Sequence, residues 1–228
     1  MVNQGSEVGA RPGIRQLLHL DLREARKEAL LQKALVLDSD GKNMANVLAS
    51  LTRKQQQELS MKFCALVPLY SDVDFEPHKQ GHLLLKFQDR WSKVWYHPED
   101  VSDGTILILA YLLLLHQEPQ VDLIAIEEPE RGLHPYLLGE LVRFLRSMAH
   151  GKIGRRCVQI VAATHSAEFL NHLEPSEVRF LSRSDDDGST IIQTAPPDTA
   201  HWRRAFMEYD SALGSMWLSG SLGGVPGR

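Results

Sequence analysis

Residues 121–135 constrain this chain most: Val-Asp-Leu-Ile-Ala-Ile-Glu-Glu-Pro-Glu-Arg-Gly-Leu-His-Pro. The run Leu123-Ile124-Ala125-Ile126 is apolar with no polar alternation. Such a run reads as a strand covered on both faces, as in a parallel sheet. It ends abruptly in Glu127 and Glu128, and Pro129 stops it. Open α/β sheets gather their ligands at the carboxyl ends of their strands. Two carboxylates there suit a Mg2+–nucleotide site, in which one holds the metal and the other orients or deprotonates an attacking water. The competing reading of the same residues is a strand ending in a solvated acidic turn. Gly132 and Pro135 shape a turn into a following helix over 135–149, with Leu137, Leu138, Leu141, Val142, Phe144 and Leu145 inward.

A second uniformly apolar strand, 157–163, closes in Thr164-His165-Ser166 and leads into a short helix over 167–171. Strand, helix, strand, helix in this order argues for parallel strands joined by right-handed crossovers. Upstream, the leucine-rich run 106–116 is preceded by Ser102-Asp103-Gly104-Thr105, which are helix-start residues. It reads as a buried helix, too short to span a bilayer. Its amino end is either an anion site or an ordinary cap.

The remaining chain reads as connecting and covering structure. Leucines at helical spacing predict helix within 14–37, and further amphipathic helices are expected over 43–51 and 54–66. Residues 68–77 read as an acidic connector, and 83–88 with 94–96 as a hairpin in which Trp91 and Trp95 pack across strands rather than stack on a base. Runs 178–182 and 190–194 suggest an edge hairpin around a solvated Asp185-Asp186-Asp187-Gly188 turn. Residues 1–13 read as a mobile leader, 201–217 as a last amphipathic helix and 218–228 as a glycine-rich tail.

A net charge of -4 and a pI near 6.2 exclude a global basic field for nucleic acid. Cys64 and Cys157 lack metal-ligand spacing and stand among apolar residues, so core thiols in a reducing cytosol are expected. No apolar leader segment is visible, and a cytoplasmic protein without membrane contact is expected.

Taken in order, these motifs resemble the second half of the ABC-type ATPases, in the SMC-like and RecF-like soluble branch. They are still more similar to stand-alone bacterial AAA-family ATPases often found near phage-defence genes. Val101-Ser102-Asp103-Gly104-Thr105 matches the signature motif of that branch, and Ile124-Ala125-Ile126-Glu127-Glu128-Pro129 its Walker B. Glu130-Arg131-Gly132-Leu133-His134-Pro135 matches the D-loop and Ala163-Thr164-His165-Ser166 the H-loop. The resemblance implies an α/β, P-loop NTPase-like (ABC ATPase-type) three-layer fold with a parallel β-sheet core, an incomplete N-terminal half and a small helical segment inserted before the signature helix. The corresponding division is 1–36 leader and helix, 37–100 helical segment plus hairpin, 101–195 ATPase core and 196–228 C-terminal helix and tail.

The resemblance also implies roles. Glu127 takes the Mg2+ position, Glu128 is the general base and His165 senses the γ-phosphate. Ser102, Asp103, Gly104 and Thr105 lie against the phosphate of ATP held by another subunit, which Arg131 and Gly132 also face. ATP and Mg2+ are the implied cofactors. The phosphate-binding loop G-x-x-x-x-G-K-[ST] is not present: Gly41-Lys42 is followed by Asn43, and Gly151-Lys152 by Ile153. The chain is therefore expected to be a fragment, one part of a split ATPase, or a degenerate regulatory module. In the first two cases Walker A comes from a missing segment or from a partner, and the chain works in a homo- or hetero-oligomer with an ATPase subunit that carries Walker A. In the last it is a non-hydrolytic interaction module. Nucleic acid as a partner has only Arg155, Arg156, Arg203 and Arg204 behind it. A missing half-sheet is expected to expose apolar surface and promote association.

Overall fold

The computed structural model describes residues 15–154, 156–184, 186–194, 204, 206–209 and 212–219. Its elements are β1 (Arg15–Leu18), α1 (Leu22–Ala25), β2 (Ala29–Leu30), α2 (Met44–Ser50), α3 (Arg53–Leu66), β3 (Tyr70–His78), β4 (His82–Asp89), β5 (Trp95–Tyr96) and α4 (Asp103–Leu114). They continue with β6 (Leu123–Glu127), α5 (Leu138–Ala149), β7 (Gln159–Ala163), α6 (Ala167–Leu170), β8 (Arg179–Arg183), β9 (Thr190–Thr194) and α7 (Leu213–Leu218). The chain divides into two compact units, 1–127 with 145–163, and 128–144 with 164–228.

The first unit is organised by α4. Ser102 caps it by accepting a hydrogen bond from the Thr105 backbone N–H, and every residue from Gly104 to Leu114 is buried. A helix that is apolar all round has no solvent face, so it must be covered on every side. α1, α2 and α3 pack against it. α3 starts on a reciprocal capping box between Thr52 and Gln55. Its buried Phe63 meets Tyr70 of β3 and Phe87 of β4 at centroid distances of 5.9 and 5.7 Å.

Two sheets complete this unit. One is parallel, in the order β1-β6-β7, with Leu18 opposite Ile126 and Glu127 opposite Ala163. The other is antiparallel, in the order β2-β4-β3, with β5 also on β4. The mixed α/β fold with a parallel core expected from the sequence is therefore present.

Several local expectations are overturned. Within 14–37 helix forms at Leu22–Ala25, but residues 15–18 are a strand, at the edge of the parallel sheet among the described residues. Leu17 and Leu18 are neighbours of opposite fate: Leu18 is fully buried and Leu17 is exposed. That is strand alternation, which the helical spacing of the leucines concealed. The acidic connector is β3, because its acids have partners: Asp72 accepts from Ser60 Oγ at 2.5 Å, and Glu76 accepts from His97 and Lys86. Trp91 stands in solvent at 70% exposure, while Trp95 lies under the Lys86 ammonium, 4.6 Å from its ring. Cys157 is exposed and Cys64 half-buried, so neither is a core thiol. β7, apolar after Gln159, has Val161, Ala162 and Ala163 exposed, and among the described residues it pairs with β6 alone.

In the second unit, Leu170 of α6, Val178, Phe180 of β8, and Leu213 and Met216 of α7 form a small core. β8 and β9 pair antiparallel, as expected. Gly214 of α7 comes so close to α6 that an added Cβ would fall 1.9 Å from the Ala167 carbonyl oxygen. Asn171 Oδ1 accepts from the Gly214 N–H at 2.8 Å. Of the final helix expected over 201–217, residues 201–203, 205, 210 and 211 lie outside the described residues, as do 1–14 and 220–228.

Candidate nucleotide-proximal site

In the first unit the parallel register decides which side chains meet. Leu18 and Ile126 are paired, so the next residues, His19 and Glu127, emerge together at the carboxyl ends of β1 and β6. His19 Nδ1 lies 2.6 Å from Glu127 Oε2. An ionised carboxylate only accepts, so Nδ1 carries the donated proton. Both side chains are more than half exposed, which keeps the carboxylate reachable from solvent.

The turn over Ser102 to Thr105 belongs to the same unit. Ser102 Oγ accepts from Thr105 N at 3.2 Å and lies 2.9 Å from Thr105 Oγ1. Arg26, just beyond α1, fastens this turn: its guanidinium donates to the carbonyls of Pro98 and Val101 and, at 2.6 Å, to Asp103 Oδ1. One planar fork thereby satisfies three acceptors around the start of α4. The approach to the turn is held by His97, whose Nε2 lies 3.0 Å from Glu76 Oε1. That hydrogen bond, aided by Lys86, holds the Glu76 carboxyl below the usual carboxylate range.

In the second unit Glu128 has φ +44, the left-handed region that side-chain-bearing residues avoid. Its carbonyl accepts from Arg131 N at 2.9 Å, and the turn continues through Gly132 at φ +77, where a side chain would be strained. Arg131 Nη1 is 4.0 Å from Glu128 Oε2, and Arg131 and Gly132 are both exposed. Glu130 reaches the turn carrying His165: Thr164 Oγ1 donates to Glu130 Oε1. His165 itself is exposed. It is not a core histidine.

Ser102, Asp103, Gly104, Thr105 and Glu127 thus belong to the first unit, and Glu128, Arg131, Gly132 and His165 to the second. Four residues that the motif reading left without a role hold these groups: His19, Arg26, Glu130 and Thr164. His19 had a signal, since a strand over 15–18 paired with 123–126 brings it beside Glu127. Arg26 had none, because nothing in its spacing foretells a contact 77 residues away.

Among the described residues no set of three or more His, Cys, Asp or Glu side chains is arranged to hold a metal. Mg2+ at a phosphate site needs no such cage, because one or two carboxylates suffice when phosphates and water complete the shell. Glu127, exposed and with one oxygen engaged by His19, fits that donor set. The arginines offered for nucleic acid give little support: Arg156 is spent on Asp122 at 3.0 Å and on the Gln120 carbonyl, and Arg155 and Arg203 lie outside the described residues. Among the described residues no helix is long and apolar enough to cross a membrane.

The fold is similar to that of solved SMC heads. The SmcHead bound to the C-winged helix domain of ScpA aligns with a TM-score of 0.50 and 10% identity, over 78% of this chain and 55% of that one. An Smc head domain with an extended coiled coil, bound to the C-terminal domain of ScpA, from Pyrococcus furiosus aligns at 0.43 and 13% identity, over 69% and 37%. One with a coiled coil and joint from Pyrococcus yayanosii aligns at 0.44 and 13%, over 68% and 29%. The chain spans between 29% and 55% of the length of these structures. Among curated protein sequences none matches it. Residues 17–171, well over half of the chain, match the family model described as "AAA domain, putative AbiEii toxin, Type IV TA system". The chain belongs to this AAA-domain family.

Proposed function

We propose that this chain is the signature and Walker B part of an ABC-type ATPase, completed by a phosphate-binding half that a partner or a further segment supplies. Glu127 holds the metal position, Glu128 orients or deprotonates the attacking water, and His165 meets the terminal phosphate. Ser102 and Gly104, with Asp103 and Thr105, present the capped start of α4 to a nucleotide bound by another subunit, and Arg131 and Gly132 face that subunit. A divalent cation beside Glu127 supplies charge neutralisation to the phosphates. Phosphoryl transfer is mostly positioning and charge stabilisation, so residues held at strand and helix ends are the working parts.

The observation that carries this reading is the backbone of Glu128. A non-glycine residue at φ +44 costs roughly 1–2 kcal/mol. A solvated acidic turn has no need of it, and glycine would relieve it. The strain is explained if the glutamate side chain itself is required at the position where β6 ends beside Glu127. The exposed outer strand β7 supports the same reading. Val161, Ala162 and Ala163 are residues of a strand meant to be covered, and a neighbouring strand of the phosphate-binding half would cover them.

The test is ATP hydrolysis by the purified chain, alone and mixed with or fused to a half bearing G-x-x-x-x-G-K-[ST]. Turnover should be negligible alone and appear on complementation, and Glu128→Gln should abolish the gain. A complemented mixture that stays inactive, or one indifferent to Glu128→Gln, leaves only a non-hydrolytic interaction module.

A further inference from the structure

We infer that Glu130 is a positioning residue for His165, acting through the hydroxyl of Thr164; this rests on the reading of His165 as the group that meets the terminal phosphate. The hydroxyl of Thr164 serves two partners at once. It donates to Glu130 Oε1 and accepts from the Ser166 backbone N–H at 3.0 Å. Ser166 in turn accepts from Phe169 N at 3.1 Å and caps α6. Both neighbours of His165 are therefore fastened, while the imidazole between them stays exposed. A hydroxyl that both donates and accepts fixes its own rotor, and with it the Thr164–Ser166 turn.

Glu130 is suited to be the anchor. It stands two residues after Glu128, across the buried Pro129, and its carbonyl accepts from Leu133 N at 2.9 Å. The turn that aims Glu128 is thereby joined by one side chain to the turn that aims His165. Its other oxygen, Oε2, is buried and meets no hydrogen-bond partner among the described residues. Burying a carboxylate oxygen without a donor is costly, so stability alone does not account for an acid at this position. Its bond to Thr164 does.

Thr164→Val removes the hydroxyl at almost constant shape, and Thr164→Ser restores it. The first readout needs no nucleotide: backbone hydrogen exchange of the full chain. Exchange at the Ser166 amide should rise about 2- to 10-fold in Thr164→Val and in Glu130→Ala, and return to wild type in Thr164→Ser. The second readout is the complemented ATPase. There kcat should fall about 100-fold in Thr164→Val with KM nearly unchanged, because a misplaced group costs rate rather than binding, and Thr164→Ser should recover it. Unchanged exchange at Ser166 in Thr164→Val overturns the inference whatever the ATPase does. So does a kcat unchanged in Thr164→Val in an active mixture. Absence of turnover in the wild-type mixture sinks the ATPase reading instead, and the exchange result still decides the anchor.

Discussion

Substituting Ser102 separates two jobs that coincide at one hydroxyl. In the folded chain Ser102 Oγ caps α4, accepting from Thr105 N at 3.2 Å. In the proposed complex the same group faces a phosphate. Ser102→Ala removes the cap and should cost about 1 kcal/mol, the usual value for losing a good N-cap. α4 is buried from Gly104 to Leu114, so beyond Asp103 its first turn cannot compensate by fraying into water. Ser102→Asp behaves differently. Aspartate is as good a cap as serine, and its charge favours the helix amino end, so stability should stay within about 0.5 kcal/mol of wild type. Against a phosphate, however, that carboxylate is a like charge. At about 4 Å and an effective dielectric near 20 the repulsion is about 4 kcal/mol, or close to a 1000-fold loss of composite-site function. The assays are the urea midpoint of the chain and the complemented ATPase rate. If Ser102→Asp destabilises as much as Ser102→Ala, or if it hydrolyses ATP as fast as wild type, the dual role is refuted.

Gly214→Ala should disrupt the second unit, because its Cβ would sit 1.9 Å from the Ala167 carbonyl; lost helix and a lowered melting temperature would show it, and an unchanged melt would contradict the close approach. The Glu76–His97 contact should contribute stability that is fully present above the ordinary glutamate range and is lost as pH falls through the depressed pKa of Glu76. Urea midpoints of wild type and Glu76→Gln, measured from pH 7 down to about 3, should therefore converge on acidification. His19→Ala should leave the fold intact and weaken cation dependence of the complemented ATPase by about 10-fold or more, since partners that orient a metal-binding carboxylate matter nearly as much as the carboxylate. Cys157, exposed, should react with a thiol reagent faster than Cys64, whose thiol burial pushes up in pKa.

The parts readable from sequence were those in which one local signal coincided with one tertiary role. α4 and β6 each combine a cap or a stop with an uninterrupted apolar run, and nothing in the fold opposes those signals. β1 was hidden because Leu17, Leu18 and Leu22 fit a helical period, while the parallel partner that makes residues 15–18 a strand lies more than a hundred positions away. β3 was hidden because its acids have no visible partner until pairing with β4 places Lys86, and the end of β5 places the next residue, His97, beside Glu76. Of the candidate site, the chemical groups were offered by the resemblance of the motifs to a known family. Two of the groups that hold them could not be read in this way: Arg26 and Glu130 act through contacts that only the folded chain creates.

The central claim is that this chain meets a terminal phosphate held by another polypeptide segment. An ATP analogue with a photoreactive γ-phosphate, loaded on the phosphate-binding half and mixed with the full chain, tests it directly. Label should enter the peptide containing residues 101–105 or the one containing His165, only when the loaded half is present, and Ser102→Asp should suppress the former. Label that is absent from both peptides, or equally strong without the loaded half, would contradict the account.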